Sequence, residues 1–248
     1  MLEMDYLLFI TYLFIFVIAF LYASVGHGGA SGYIAILAIA GYSLESIRPT
    51  VLILNILVSG IAFIQFYRSG FFKLSIFLPL VLASVPMAFL GGITPIENNT
   101  YKIILGAILL IPAIRFAGFY RIQETKNHKP HSVIYALLIG AAIGYLSGLT
   151  GIGGGILLSP ILLSLGWTNM KQTAALSAGF IFLNSISGMG GLMIKGMQVN
   201  EHMVLFILIA FLGGIAGSYL GANKFNQVTL SKILGIVLFI ASLKLIFA

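Results

Sequence analysis

Two glycine clusters, Gly26-His27-Gly28-Gly29 and Gly151-Ile152-Gly153-Gly154-Gly155, mark where this chain's backbone could meet a ligand. Glycine costs a helix about 1 kcal/mol per position and takes positive φ without strain, so each cluster should unwind or turn a helix. Unwinding frees backbone N–H groups, and the helix that restarts begins with a partial positive charge, a setting that suits an anion. The expected substrate-binding residues are Ser24, Gly26, His27, Gly28, Gly29 and Ser31 at the first cluster, with Thr150, Gly151, Gly153, Gly154 and Gly155 at the second. Two polar faces could complete the pocket: Asn55 and Ser59, four residues apart, and Ser177 and Asn184, seven apart. The competing interpretation is structural, with glycines allowing close helix packing and polar side chains joining helices.

His27 is the one histidine inside an apolar run, since His128, His131 and His202 fall in or beside loops. Protonated, it would donate to an anion or carry a coupling proton; neutral and bonded to a carbonyl, it would be a buried structural residue. Arg48 and Lys171 stand before two long helices and read as interface anchors ahead of attractors of anions. Asn55, Ser59 and their counterparts likewise keep a structural reading beside the functional one.

The elements that would hold these residues follow from length and charge. Of 248 residues, 60% are hydrophobic and only 8% are charged, about a third of the share in a soluble domain. One helical pass of a bilayer takes roughly 20 apolar residues. Single spans are expected near Val51 to Phe66, Leu74 to Gly92, Ile103 to Gly118, Thr173 to Ile194, Met203 to Ala222 and Val228 to Phe247. Two stretches, Asp5 to Glu45 and Lys129 to Lys171, carry no Asp, Glu, Lys or Arg between their ends. Each is about twice the membrane thickness if helical, so each must break, and the glycine clusters sit near the middle. The expected product is a long helix, a break and a short helix, Ala30 to Ala40 in the first run and Ile156 to Leu165 in the second.

The runs also match each other at a constant offset of 125: Ile18, Leu21, Gly26, Gly28, Gly29, Ile36, Leu37 and Gly41 recur as Ile143, Leu146, Gly151, Gly153, Gly154, Ile161, Leu162 and Gly166. Collinear glycines predict one membrane domain of two repeats, 1–120 and 130–248, joined by a linker near 119–132. The linker's Arg121, Lys126 and Lys129 place it in the cytoplasm. If each broken run is a hairpin followed by three spans, Arg68, Lys73, Lys171, Lys224 and Lys232 also fall inside. An odd number of crossings per half then inverts the second repeat and puts both termini outside.

Other function classes fit poorly. Thirteen Lys and Arg against six Asp and Glu give +7, but they are scattered through apolar sequence, unlike the clustered basic face of a nucleic-acid binder. No cysteine is present, so disulfides, thiolate nucleophiles and cysteine metal sites are absent. No membrane-embedded cluster of acids and histidines suggests a metal or a cofactor. Gly29-Ala30-Ser31-Gly32 satisfies a serine-protease pattern, yet each later histidine lies in or beside a loop. Catalytic residues and cofactors are therefore not expected, and there is no phosphate-binding loop for ATP. The apolar start, with Glu3 and Asp5, reads as a retained first helix.

The pattern Gly-x-Gly-Gly-Gly, then Pro-x-Leu and Gly-aromatic, seen as residues 151–155, Pro160-Ile161-Leu162 and Gly166-Trp167, resembles the TauE/SafE sulfite-exporter family. The resemblance runs from about Tyr6 to Phe247 and is strongest in the second half. His27, Ala30-Ser31 and Ala35 depart from the pattern in the first copy. The resemblance implies a secondary transporter of small anions, often sulfite, sulfonates or related sulfur compounds. The resulting expectation is an all-α polytopic protein of a cell membrane, of the bacterial inner-membrane kind. It would carry a small sulfur oxyanion by alternating access, with a passive anion channel as the alternative. A proton or sodium remains open as the coupling ion.

Overall fold

The computed structural model describes residues 2–97, 100, 130–194, 196, 202–226, 228–229 and 232–233. The expected spans at 103–118 and over most of 228–247, and the linker's basic residues, lie outside the described residues. All regular structure among the described residues is helical: α1 (Leu2–Ser24), α2 (Ala30–Ile39), α3 (Leu44–Arg68), α4 (Leu74–Ile93), α5 (Val133–Thr150), α6 (Gly155–Leu165), α7 (Met170–Ile194) and α8 (Met203–Asn223). The protein is an all-α polytopic membrane protein. Five of these helices, α3, α4, α5, α7 and α8, are long and apolar enough to cross a bilayer.

Both over-long runs break where expected. After α1 the chain turns at 25–29 and α2 returns alongside it, with Gly32 against Ile18 and the Tyr22 hydroxyl 2.6 Å from Ser31 Oγ. After α5 it turns at 151–154, and Gly154 comes back against Ile143 and Ser147. The backbone is left-handed at Gly151, Gly153 and Gly154 (φ +77°, +82° and +78°), a conformation that costs other residues about 1–2 kcal/mol each. Ten-residue α2 and eleven-residue α6 are roughly 15 Å long, about half a membrane thickness.

Glycine contacts give the helix directions. Gly213, Gly217 and Gly221 of α8 meet the backbone of Phe16, Phe20 and Ser24 of α1, and Gly140, Gly144 and Gly148 of α5 meet that of Leu80, Ser84 and Ala88 of α4. Residue numbers rise together in both pairs, so the helices are parallel. Small residues every four positions make this possible: association within lipid depends on close van der Waals approach, since lipid tails are as apolar as the helices. Helices α3 and α7 run antiparallel, Gly60 meeting Phe182 and Gly179 meeting Phe63. Ser187 of α7 donates to the Val85 carbonyl while Gly191 meets Phe89, which makes α4 parallel to α7. Gly214 beside Val58, with Ser69 donating to Asn223 one end further along, makes α3 parallel to α8. Thus α1, α3 and α8 point one way, and α4, α5 and α7 point the other.

The buried clusters follow the same exchange. One joins Ile15, Leu37, Val51, Leu54 and Val58 of α1–α3 to Phe206 and Ala210 of α8. The other joins Ile143, Leu158, Leu162, Leu176 and Phe180 of α5–α7 to Leu80 of α4. Each group of three helices completes its core with a fourth helix from the other half of the chain. Outside, Phe9, Leu13, Phe14, Ile134, Leu138, Val204, Leu208 and Leu212 are exposed, an apolar surface suited to lipid tails.

Candidate functional site

The two breaks converge on Asn55. It lies near the middle of α3 and is fully buried, a position forced on a polar amide only where partners exist. A Cβ on Gly28 would stand 2.3 Å from Asn55 Oδ1, and one on Gly153 would stand 3.1 Å from Asn55 Nδ2. The amide nitrogen donates to the Ile152 carbonyl at 3.2 Å and, more weakly, to that of Gly151 at 3.5 Å. One side chain of α3 thereby satisfies carbonyls that the second break releases and touches the first break as well.

His27 ties the breaks together a second way. Its ring Cδ2 would lie 3.5 Å from a Cβ placed on Gly155, the first residue of α6, which Ile181 of α7 approaches more closely still. Its Nε2 lies 2.7 Å from Ser159 Oγ, which lies 2.8 Å from Ser177 Oγ. The three side chains come from the first break, α6 and α7, and all are buried. His27 thus bonds a hydroxyl instead of the backbone carbonyl expected of a structural histidine, in a series that joins residues from both halves of the chain.

The remaining expected residues divide by what their polar atoms do. Ser24, Ser59 and Thr150 turn back onto carbonyls of their own helices, those of Leu21, Asn55 and Leu146. Ser31 meets the Tyr22 hydroxyl. Asn184 Nδ2 donates to the Phe180 carbonyl at 2.8 Å and leaves its Oδ1 buried without a partner. Gly26 packs against the Ala174 backbone, Gly29 against the Tyr33 ring and Gly154 against Phe180. At the start of α6 the capping residue is Gly154, so no side chain occupies the first N–H groups.

Several residues at this centre were not anticipated. Ser159 and Tyr33 sit in short, apolar helices that offer little polar spacing to draw notice, and Ser185 adjoins Asn184 outside the Ser177–Asn184 spacing. Ser185 Oγ stands 3.2 Å from a Cβ on Gly153 and has no hydrogen-bond partner. Arg48 does more than anchor an interface: its guanidinium donates to the Leu149 carbonyl at 2.9 Å, at the C-terminal end of α5 beside the second break. Lys171 similarly donates to the Ala222 carbonyl at the end of α8, at 3.0 Å, with Phe71 4.9 Å away. Cations at helix C-termini are favourable, and because α3 and α7 are antiparallel these two lie at opposite ends of the bundle. Among the described residues no group of three or more His, Cys, Asp and Glu is placed to hold a metal.

The sequence of the chain has relatives among probable membrane transporters. The chain is 35% identical over 237 residues to the probable membrane transporter protein y4hK of Sinorhizobium fredii, covering 93% of this chain and 95% of that protein. It is 26% identical over 220 residues to the probable membrane transporter protein YunE of Bacillus subtilis, covering 79% and 78%. A shorter match, 36% over 95 residues, is to the sulfite exporter TauE/SafE family protein 1 of Arabidopsis thaliana, covering 38% of this chain and 21% of that protein. No solved structure matches. The family description "Sulfite exporter TauE/SafE" fits residues 11–245, nearly the whole chain and both glycine breaks, and the chain therefore belongs to the TauE/SafE family of membrane transporters.

Proposed function

We propose that the protein is a secondary transporter that moves a small sulfur-containing oxyanion, such as sulfite, thiosulfate or an organosulfonate, by alternating access. The observation that carries this is the meeting of both glycine breaks at Asn55, with His27 of the first break against Gly155 of the second. Two short helices then begin around one buried centre, and their amides and hydroxyls suit an oxyanion whose oxygens accept several hydrogen bonds. The binding set we assign is the one read from the sequence, centred on residues 26–29, 151–155, Asn55 and Ser177. The opposed directions of α1 and α5, α3 and α7, and α4 and α8 support two inverted repeats, 1–120 and 130–248. The sulfite exporter names of the family and of its Arabidopsis member support a sulfur cargo.

The test is flux into liposomes holding the purified protein, across sulfite, thiosulfate, sulfate, sulfonates, small carboxylates and chloride, with and without the same anion loaded inside. Saturable flux of a sulfur anion that speeds up against an internal load is the expected result. Flux of many anions with no such acceleration would mean a channel. Absence of flux with every sulfur compound would remove the cargo assignment.

A further inference from the structure

Two buried side-chain groups able to donate at the first break have no partner among the described residues. The Tyr33 side chain is fully buried and its hydroxyl is unbonded; His27 is 1% exposed and its Nδ1 is unbonded. Both border the peptide units that open α2. His27 directly precedes Gly28-Gly29, and a Cβ on Gly29 would stand 2.9 Å from the Tyr33 hydroxyl oxygen. The first amides of α2 have no acceptors within their own helix, so side-chain and backbone donors gather at one place. The hydroxyl of Ser31 is already engaged by Tyr22.

A buried hydroxyl with no partner is unfavourable, and phenylalanine would fill the same space without it. Such a group belongs where a ligand supplies the missing partner. We propose that the Tyr33 hydroxyl and His27 Nδ1 are the side-chain donors to the cargo, and that with the α2 amides they hold a singly charged oxyanion head group such as a sulfonate or hydrogen sulfite. The proposal rests on the anion-transport reading above and deepens it.

The hydroxyl relay fixes the histidine tautomer this requires. With Ser177 donating to Ser159 and Ser159 donating to His27 Nε2, a neutral His27 carries its hydrogen on Nδ1, facing the head group. An anion at Nδ1 selects that direction of the chain over its reverse. The charge preference follows from what surrounds the site. The Tyr33 hydroxyl, the ring of a neutral His27 and the α2 amides are all uncharged donors. Neutral donors compensate one buried charge far better than two, because the cost of removing an ion from water rises steeply with its charge.

The test uses the full chain purified in detergent, with binding of methanesulfonate, sulfite and sulfate followed by calorimetry and stability followed by thermal unfolding. Wild-type protein should bind methanesulfonate and sulfite more tightly than sulfate. Tyr33→Phe should raise the Kd for methanesulfonate about 10- to 100-fold, the loss of one hydrogen bond to a charged group, while its Tm is unchanged or higher. An unchanged Kd in Tyr33→Phe would overturn the assignment, as would a lower Tm, which would show that the hydroxyl serves the fold. Tighter binding of sulfate than of methanesulfonate would overturn the charge preference. Wild-type protein that binds none of the three would instead sink the sulfur-cargo reading itself, before any substitution is compared.

Discussion

Gly26 and Gly41 offer a matched pair in which local strain is the same and packing is not. Both are left-handed, at φ +77° and +82°. Replacing either with alanine places an L residue in that region, at about 1–2 kcal/mol. For Gly41 the added Cβ meets nothing within 4 Å, so the strain is the whole effect. For Gly26 the Cβ would sit 2.1 Å from the Ala174 carbonyl oxygen and 2.5 Å from its Cα and carbonyl carbon. All three atoms are backbone, which cannot rotate away. Restoring ordinary contact, at 3.4 Å or beyond, moves the first break away from α7 by about 1.3 Å. Overpacking of this kind adds about 1–3 kcal/mol.

The function should suffer more than the stability. His27 is the next residue, and its 2.7 Å contact with Ser159 does not survive a shift of that size. Gly26→Ala should therefore lose roughly tenfold or more in cargo affinity, while Gly41→Ala keeps wild-type affinity and loses only the strain energy. The assay is saturable sulfur-anion flux in liposomes at matched protein incorporation, with thermal unfolding of both variants in detergent. Equal affinities in the two variants would refute the claim that contact between the first break and α7 positions the site.

Removing the opposed cations should unbalance access. Arg48→Gln and Lys171→Gln each give up a bond from a half-buried cation to a helix C-terminus, about 1 kcal/mol or roughly fivefold in a closing equilibrium, and should open opposite faces. The chain has no cysteine, so Thr150→Cys serves as a clean reporter. Its labelling by a membrane-impermeant maleimide should rise with Arg48→Gln and stay level with Lys171→Gln; equal effects of the two would end the idea of paired gates. Asn55→Leu should leave the Ile152 carbonyl unsatisfied at about 1–3 kcal/mol, lower Tm by about 3–10 °C and abolish saturable flux, and an unchanged Tm would show that Asn55 does not hold the second break.

Charge gaps and glycines reveal much of this fold because each has a single physical consequence. An uncharged run twice the membrane thickness must break, and both breaks fall at the glycine clusters. Helix ends shift modestly: α3 reaches Leu44–Arg68 against an expected Val51 to Phe66, since helical backbone continues past the apolar stretch into the interface. Packing partners are harder to read. An offset of 125 says which helices correspond but not which ones touch, and the pairing of α1 with α8 and of α4 with α5 is written in the four-residue spacing of Gly140, Gly144 and Gly148 and of Gly213, Gly217 and Gly221. Arg48 was undervalued because a cation ahead of its own helix looks unfavourable there; its partner is the carbonyl end of a different helix, close only after folding.

The same limit explains why the site looks more symmetric in the sequence than in the structure. Glycine clusters match across the halves, so both breaks seem equal as cradles. Their surroundings differ. At the second break the Asn55 amide nitrogen is already committed to the Ile152 carbonyl and Arg48 to that of Leu149, while the free hydroxyls are the small ones of Ser147 and Ser185. At the first break His27 stands where the second has Ile152, and Tyr33 where the second has Leu158; each brings a buried polar atom that the fold leaves unbonded. The departures of the first half from the family pattern thus give the first break a histidine and a tyrosine with unbonded polar atoms, where the second break has apolar residues. In the transport reading the second break is the more rigid support and the first is the face that recognises cargo.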